Sequence, residues 1–398
     1  MSSEGRLVRR RRVAVTGLGV VAPCGIGTEA FWQGLLAPAP EGPRQVEDFD
    51  PSPWFDNPKD ARRTDRFAQF ALAAASMALE HAGTPGLDPA RSGVFIGTGV
   101  GGLHTLEDQI LVRDHKGPRR VSPFLVPMMM ANAAAAGVSM RFGWQGPCET
   151  TVTACAAGTH SIGNAARAIA DGRADAMLAG SAETALTPTG MAGFTNMTAM
   201  SRSGVSRPFD ARRDGFCIAE GSAVLVLEEW DHAVARGATI HAEILGSANT
   251  ADAHHITAPS PNGTGAVACM EQAMDDADVK AADVVHINAH GTSTDLNDMA
   301  EAQAIDKVFG SPGPIVTSVK GVTGHSLGAA GALEAAAVVL SMAHRLVPPT
   351  AGTDAIDPEM PGIDLVIGEA RSWEPGITLS NSFGFGGHNG TLVIAPAG

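Results

Sequence analysis

Two stretches of very small residues, one in each half of the chain, set the tightest limit on its architecture: Ala154-Cys155-Ala156-Ala157-Gly158 and Gly328-Ala329-Ala330-Gly331-Ala332. Each follows an apolar run of strand character and opens a helical pattern. After Cys155, the residues Ile162, Ala165, Ala166, Ile169 and Ala170 recur at helical spacing, which puts Cys155 in the first turn of a buried helix. Forty-seven glycines, no tyrosine and 5% aromatic residues fit close backbone packing among such helices and the strands beside them. A helix start of the same kind in each half suggests a duplicated fold.

Strand and helix patterns alternate around these two points. Residues 13–16, 93–97, 174–180, 222–227, 283–292 and 315–320 read as buried strands, and residues 65–81 carry Phe67, Phe70, Ala71, Ala74, Met77 and Ala78 at helical spacing. The alternation predicts an α/β chain. Its divisions are a basic N-terminal tail over 1–12, a half over 13–240 that carries the cysteine, and a half over 241–398. Residues 127–136, with Met128-Met129-Met130, have no polar side chain apart from Asn132, so they predict a helix covered by apolar neighbours on all sides. Gly17-Leu18-Gly19-Val20-Val21-Ala22 matches a loose dinucleotide fingerprint. Pro23 and Gly25 break the helix that should open there, which weighs against a pyrophosphate site.

Charge and cysteine usage remove several classes. A net charge of −14, from 28 Lys+Arg against 42 Asp+Glu, argues against a general affinity for nucleic acid. The run Arg9-Arg10-Arg11-Arg12 precedes only a short apolar segment interrupted by Gly17, Gly19 and Pro23, so neither a signal peptide nor a membrane span is expected and the run reads as a solvated tail. Five scattered cysteines without Cys-x-x-Cys spacing predict neither a disulfide framework nor a zinc ribbon, and a cytoplasmic location fits them.

Cys155 stands where unpaired N–H groups and the positive end of a helix dipole favour a thiolate; the bland alternative is a small core residue. His290 ends a strand on the turn Gly291-Thr292-Ser293-Thr294, a position where catalytic and ligand contacts concentrate. His286 and His290 are four apart, but on a strand pattern and without a third ligand at metal spacing. Gly324-His325-Ser326-Leu327-Gly328 is a formal serine-nucleophile elbow, with Asp354, Asp357 and His388 downstream. Residues 381–390 form a glycine-rich loop with two phenylalanines, able to present an N–H to an oxyanion while a ring gates a pocket.

Four motifs in order, Thr-Ala-Cys155-Ala-Ala-Gly, Asn-Ala-His290-Gly-Thr-Ser-Thr, Ser-Val-Lys320-Gly-Val-Thr-Gly-His325-Ser-Leu-Gly-Ala-Ala-Gly and Asn-Ser-Phe383-Gly-Phe385-Gly-Gly, resemble the β-ketoacyl-[acyl-carrier-protein] synthases, nearest the elongating type II condensing enzymes. The resemblance runs from Val13 to Ile394. It implies a thiolase-like fold of two duplicated halves, each with a mixed five-stranded sheet, layered α/β/α/β/α. It also implies Cys155 as acyl-accepting nucleophile, His290 and His325 as donors to the malonyl thioester, and Lys320 with Glu334 as an ordering ion pair. Phe385, flanked by Phe383 and Gly386, corresponds to the oxyanion and gating loop. Thr257, Thr292 and Thr294 correspond to contacts with the pantetheine arm, Phe194 to the acyl channel, and Met129 and Met130 to a lining of the partner's pocket. No cofactor and no metal are implied, because substrates arrive on the phosphopantetheine arm of acyl carrier protein. The implied assembly is a homodimer, or a heterodimer with a chain-length-factor-like subunit, as in the ketosynthases of type II polyketide systems, whose catalytic residues are the same. A serine hydrolase using Ser326 is the distant alternative. Where the family commonly has Thr in its terminal loop, this chain has His388.

Overall fold

The computed structural model describes residues 10–83 and 86–398. In the first half the strands are β1 (Val13–Ala22), β2 (Gly25–Ile26), β3 (Ser92–Gly97), β4 (Cys148–Glu149), β5 (Ala176–Glu183) and β6 (Gly221–Glu229). In the second they are β7 (Ala242–Ala251), β8 (Val284–Asn288), β9 (Ile315–Thr317), β10 (Leu346–Val347), β11 (Asp364–Leu365), β12 (Arg371–Ser372), β13 (Ile377–Gly384) and β14 (His388–Pro396).

Apart from the short β2, which pairs with β1, and the separate pair β10–β12, the strands lie in the order β4-β3-β5-β6-β1-β7-β14-β13-β8-β9-β11. From β4 inward the pairings run parallel, parallel, antiparallel, antiparallel; from β7 outward they run antiparallel, antiparallel, parallel, parallel. The two halves thus repeat one five-stranded plan, with the two-residue β11 added at the far edge. Among the described residues the strand ladders of the two halves join through two residue pairs of β1 and β7, Ala14 with Glu243 and Val15 with Ala242.

Two helices fill the middle layer, Ala157–Ala170 and Ala330–His344, and every residue from Ala330 to Met342 is buried. Their small-residue starts meet. A Cβ on Gly158 would lie 2.6 Å from the Ala332 nitrogen, and one on Gly331 would lie 2.6 Å from the Thr159 nitrogen, so neither position accepts a side chain without separating the halves. The segment Leu327–His344 is long and apolar enough to cross a membrane but is 89% buried inside the fold. Outer helices complete the layers: Arg66–Ala82 packs on β1 and β6, and Thr264–Ala277 on β7 and β14.

The Gly-x-Gly stretch is not a phosphate loop. It continues β1, and a Cβ on Gly17 or Gly19 would lie 2.3 Å from the Ala78 carbonyl or 1.9 Å from that of Ala74, so these glycines let the helix Arg66–Ala82 lie directly on the strand. That helix is capped by Asp65, which accepts from the Phe67 N–H, and ends on Gly83 in the left-handed conformation. Two expectations need correction. The arginine run is not a free tail at its described end: Arg10 pairs with Asp276, Arg11 with Asp175, and Arg12 with Glu243 while stacking 3.5 Å over Trp230. Residues 127–136 are not one buried helix. They break at Met130–Asn132 between the helices Leu125–Met129 and Ala133–Phe142, and Val126 and Met130 remain exposed.

Candidate active site

Cys155 sits in a tight turn, Ala154–Ala156, that leads straight into the helix Ala157–Ala170. Ala154 takes φ +49°, a left-handed conformation costly for a residue with a side chain, and it turns the thiol out of the sheet toward the second half. His290 follows the end of β8, and Lys320 opens a short helix, Lys320–Thr323, after β9. His325 stands on the turn before the second small-residue helix start, where Leu327 repeats the left-handed conformation of Ala154 with φ +47°. The duplicated plan therefore brings two strained turns face to face.

The Cys155 Sγ lies 3.1 Å from His325 Nε2, and ligand atoms of Cys155, His290 and His325 all fall within 4.8 Å of one another. The two imidazoles stand edge to face with centroids 5.4 Å apart. Behind His290, the Lys320 ammonium donates to its Nδ1 at 3.2 Å and to its carbonyl at 2.6 Å, and pairs with Glu334. A nitrogen that accepts from an ammonium carries no proton, so His290 presents Nε2–H toward the thiol. Three such donors could bridge a zinc ion in spacing alone, yet the ammonium behind His290 favours an anion developing there over a second cation.

Burial dominates the electrostatics. It pushes the Cys155 thiol up to about 11, against the pull of Lys320 and of the Phe385 N–H. The helix start therefore does not by itself maintain a thiolate, contrary to expectation, and the proton has an acceptor in His325. Burial and Lys320 hold both histidines well below their ordinary range, so they are neutral near pH 7. Burial likewise pushes Glu334 up to about 7 against Lys320.

A cleft of about 300 Å³ reaches Cys155, His290 and His325. Thr257, Thr292 and Thr294 stand on its approach, and Phe383 and Phe385 on the hairpin side. Gly386, at φ +83°, donates to the Ile256 carbonyl at 2.7 Å and ties that hairpin turn to the segment before Thr257. On the other side of the thiol, Phe194 packs against Phe216 (5.8 Å between centroids) in an apolar group with Met191, Met200, Leu103 and Leu327. Met129 and Met130 do not line the cleft of their own chain. His286 points into the core against Trp373, 5.1 Å between centroids, and has no part in the site.

Three buried carboxyls escaped the sequence reading. Glu301 accepts from the N–H groups of His290 and Gly291, both at 2.8 Å, and Asp298 from those of Phe209 and Ser293. Glu183, at the end of β5, accepts from Gly99 N–H at 2.6 Å and Gly328 N–H at 3.3 Å, and has no cationic partner among the described residues. An acid closing an apolar strand, and acids three apart opening the helix Asp295–Phe309, were the available signals. The serine elbow fails: Ser326 Oγ is buried without a hydrogen bond, Asp354 and Asp357 are held by Arg212 and Arg213, and His388 stands beside His160 with ring centroids 6.5 Å apart.

A buried thiol in contact with one histidine and near a second, ordered by a lysine–glutamate pair under a cleft, is the equipment of a cysteine-dependent group-transfer enzyme on a duplicated α/β scaffold. The profile of the beta-ketoacyl synthase N-terminal domain matches residues 40–233, and that of the C-terminal domain matches residues 241–354. A 3-oxoacyl-[acyl-carrier-protein] synthase 2 of Synechocystis sp. is 44% identical over 97% of this chain and 98% of its own. Among solved structures, the ishigamide ketosynthase/chain length factor superposes with a TM-score of 0.91 at 34% identity, covering 98% of this chain and 100% of that one. A type II polyketide ketosynthase, solved in complex with its acyl-carrier protein, superposes with a TM-score of 0.89 at 32% identity over the same shares. The chain belongs to the β-ketoacyl synthase family, and it is an acyltransferase of the thiolase-like fold.

Proposed function

We propose that this chain elongates acyl groups on acyl carrier protein by decarboxylative condensation, with Cys155 as the acyl-holding nucleophile. The contact of Cys155 Sγ with His325 Nε2 at 3.1 Å, beside His290 under one cleft, carries the reading. In the first half-reaction the thiol proton passes to His325 and the sulfur attacks the acyl thioester. The N–H groups of Cys155 and Phe385 stabilise the oxyanion, and the departing pantetheine thiolate takes the proton back. In the second, once the neutral His325 ring has exchanged its proton from Nδ1 to Nε2, the Nε2–H of His290 and of His325 hydrogen-bond the malonyl thioester carbonyl. Loss of carbon dioxide leaves the bonding pair on the α-carbon as an enolate, which attacks the acyl carbonyl on Cys155. A carbon–carbon bond forms, the Cys155 thiolate departs, and one proton from solvent restores the thiol. Lys320 and Glu334 hold His290 in the donating tautomer. Thr257, Thr292 and Thr294 hold the pantetheine arm, and Phe194 lines the acyl channel. Every step here is carried by this chain's own residues and by the substrates, with no cofactor beyond the phosphopantetheine arm on which they arrive.

The division at 240/241 separates the nucleophile from its acid–base partners. We place the second subunit against the outer edge strand β4 and the exposed apolar side chains Val100, Val126, Met130, Met140 and Val152. Met129 and Met130 then lie beside the partner's pocket. Five free cysteines fit a reducing cytoplasm. Fatty acid elongation is favoured by the 44% identity to synthase 2 proteins; pairing with a chain-length factor, as in polyketide systems, is favoured by the 0.91 superposition. Incubation with acyl and malonyl carrier proteins, alone and with a candidate partner subunit, separates the two. Acyl mass on Cys155 and a product two carbons longer from the chain alone support elongation. Product only with the partner supports the second reading, and no acyl mass on Cys155 overturns both. His290→Ala and His325→Ala should each abolish carbon dioxide release; normal release in either removes that residue from its role.

A further inference from the structure

His160 stands on the helix that Cys155 opens, is buried, and is absent from the cleft. Its two ring nitrogens reach different halves of the molecule. Nδ1 lies 2.9 Å from the Thr153 hydroxyl, two residues before the nucleophile, and Nε2 lies 3.0 Å from the backbone carbonyl of Asn389, on the far arm of the hairpin that carries Phe385. A carbonyl only accepts, so Nε2 bears the hydrogen, and in the neutral ring Nδ1 accepts from Thr153. Burial holds the ring below its ordinary range, which keeps it neutral.

The surroundings are shaped to this ring. A Cβ on Gly390 would lie 2.8 Å from its Cδ2 and 3.0 Å from its Nε2, so glycine at 390 admits the imidazole. A Cβ on Gly384 would lie 3.0 Å from the Cys155 nitrogen and 3.1 Å from the Thr153 carbonyl, so the hairpin lies directly on the nucleophile turn. Between Thr153 and Cys155 stands Ala154 in its left-handed conformation, which persists only where neighbours hold it.

We propose that His160 is a positioning residue, which pins the strained Thr153–Cys155 turn of one half to the β13–β14 hairpin of the other and so sets the Cys155 sulfur against the Phe385 N–H. The inference rests on the acyl-transfer reading above, because it assigns the residue to the geometry of the oxyanion site. A histidine that merely fills the core would affect stability without distinguishing between reactions of the same sulfur.

Two isosteric variants divide the latch. His160→Gln keeps a donor at the Nε2 position for Asn389 and gives up Thr153; His160→Asn keeps an acceptor at the Nδ1 position for Thr153 and gives up Asn389. Thr153→Val removes the hydroxyl alone and leaves the ring in place if the histidine variants fail to fold. Two rates are read by mass at Cys155: acyl transfer from acyl carrier protein, whose oxyanion needs the Phe385 N–H, and alkylation by iodoacetamide, which forms no oxyanion and feels that N–H only through the acidity of the thiol. Each variant should slow acyl transfer roughly tenfold while alkylation stays within about twofold, and Thr153→Val combined with His160→Gln should be no slower than His160→Gln alone. Equal losses in both rates, or acyl transfer at the wild-type rate in Thr153→Val and in whichever histidine variants fold, would overturn the proposal. If the wild-type chain itself takes no acyl group onto Cys155, the acyl-transfer reading has failed; if it does and only the variants behave like it, the positioning role alone has failed.

Discussion

At the scale of single residues the site is governed by buried charge. Among the described residues Glu183 has no cation to balance it, and burial pushes its carboxyl up to about 7. Between the ordinary carboxylate range and about 7, the folded chain keeps a proton that the unfolded chain has released, so this residue makes stability fall as pH rises through that window. Glu183→Gln should therefore lose less of its melting temperature between pH 5 and pH 8 than the wild type does. The same negative charge raises the Cys155 thiol, so the variant's alkylation–pH profile should move toward lower pH, and an unmoved profile would show that the carboxyl is neutral or too well screened to matter. Lys320 carries the opposite risk. Lys320→Met strands the buried Glu334 and frees the His290 ring, and denaturant titration should show a loss of about 3–5 kcal/mol, largely restored by adding Glu334→Gln. Cys155, His290 and Phe385 stood out in sequence because each sits in a short stretch with its own local chemistry, whereas Lys320 and His325 were singled out by the family motif they share. Glu183, Asp298 and Glu301 were not, because what they hold are backbone N–H groups of residues that only the fold brings near.

At the scale of elements the same glycines can be read in two ways, and only packing decides. Gly17 and Gly19 resemble a nucleotide loop in sequence and prove to be the contact line between β1 and the helix Arg66–Ala82. Gly19→Ala should cost at least the upper end of the roughly 1–3 kcal/mol typical of an overpacked core, measured by urea unfolding, because its Cβ meets a main-chain carbonyl that cannot swing aside. The buried strands were readable as apolar runs bounded by glycine or polar residues, as at β5 and β6. The helix expected over 127–136 was not, since the apolar run shows neither where the helix breaks nor that Met130 stays exposed in the single chain. The arginine run misled for a related reason: its acidic partners stand at positions 175, 243 and 276, far away in sequence.

At the scale of the molecule, the mirrored sheet order places Cys155 on the β4–β1 side and His290, Lys320 and His325 on the β7–β11 side, facing one another. Val100, Val126, Met130, Met140 and Val152 are exposed in the single chain and are the place proposed above for a second subunit. Val126→Glu with Met140→Glu should shift the sedimentation of the purified protein from dimer to monomer, and an unchanged dimer would place the contact elsewhere. The cleft has a consequence for the order of events. On the proposed mechanism, acyl donor and extender use the same sulfur and the same cleft, whose lining includes Thr257, Thr292 and Thr294. The carriers must therefore take turns: the emptied donor leaves before the extender docks, and an excess of extender occupies uncharged enzyme and slows the very cycle that it feeds.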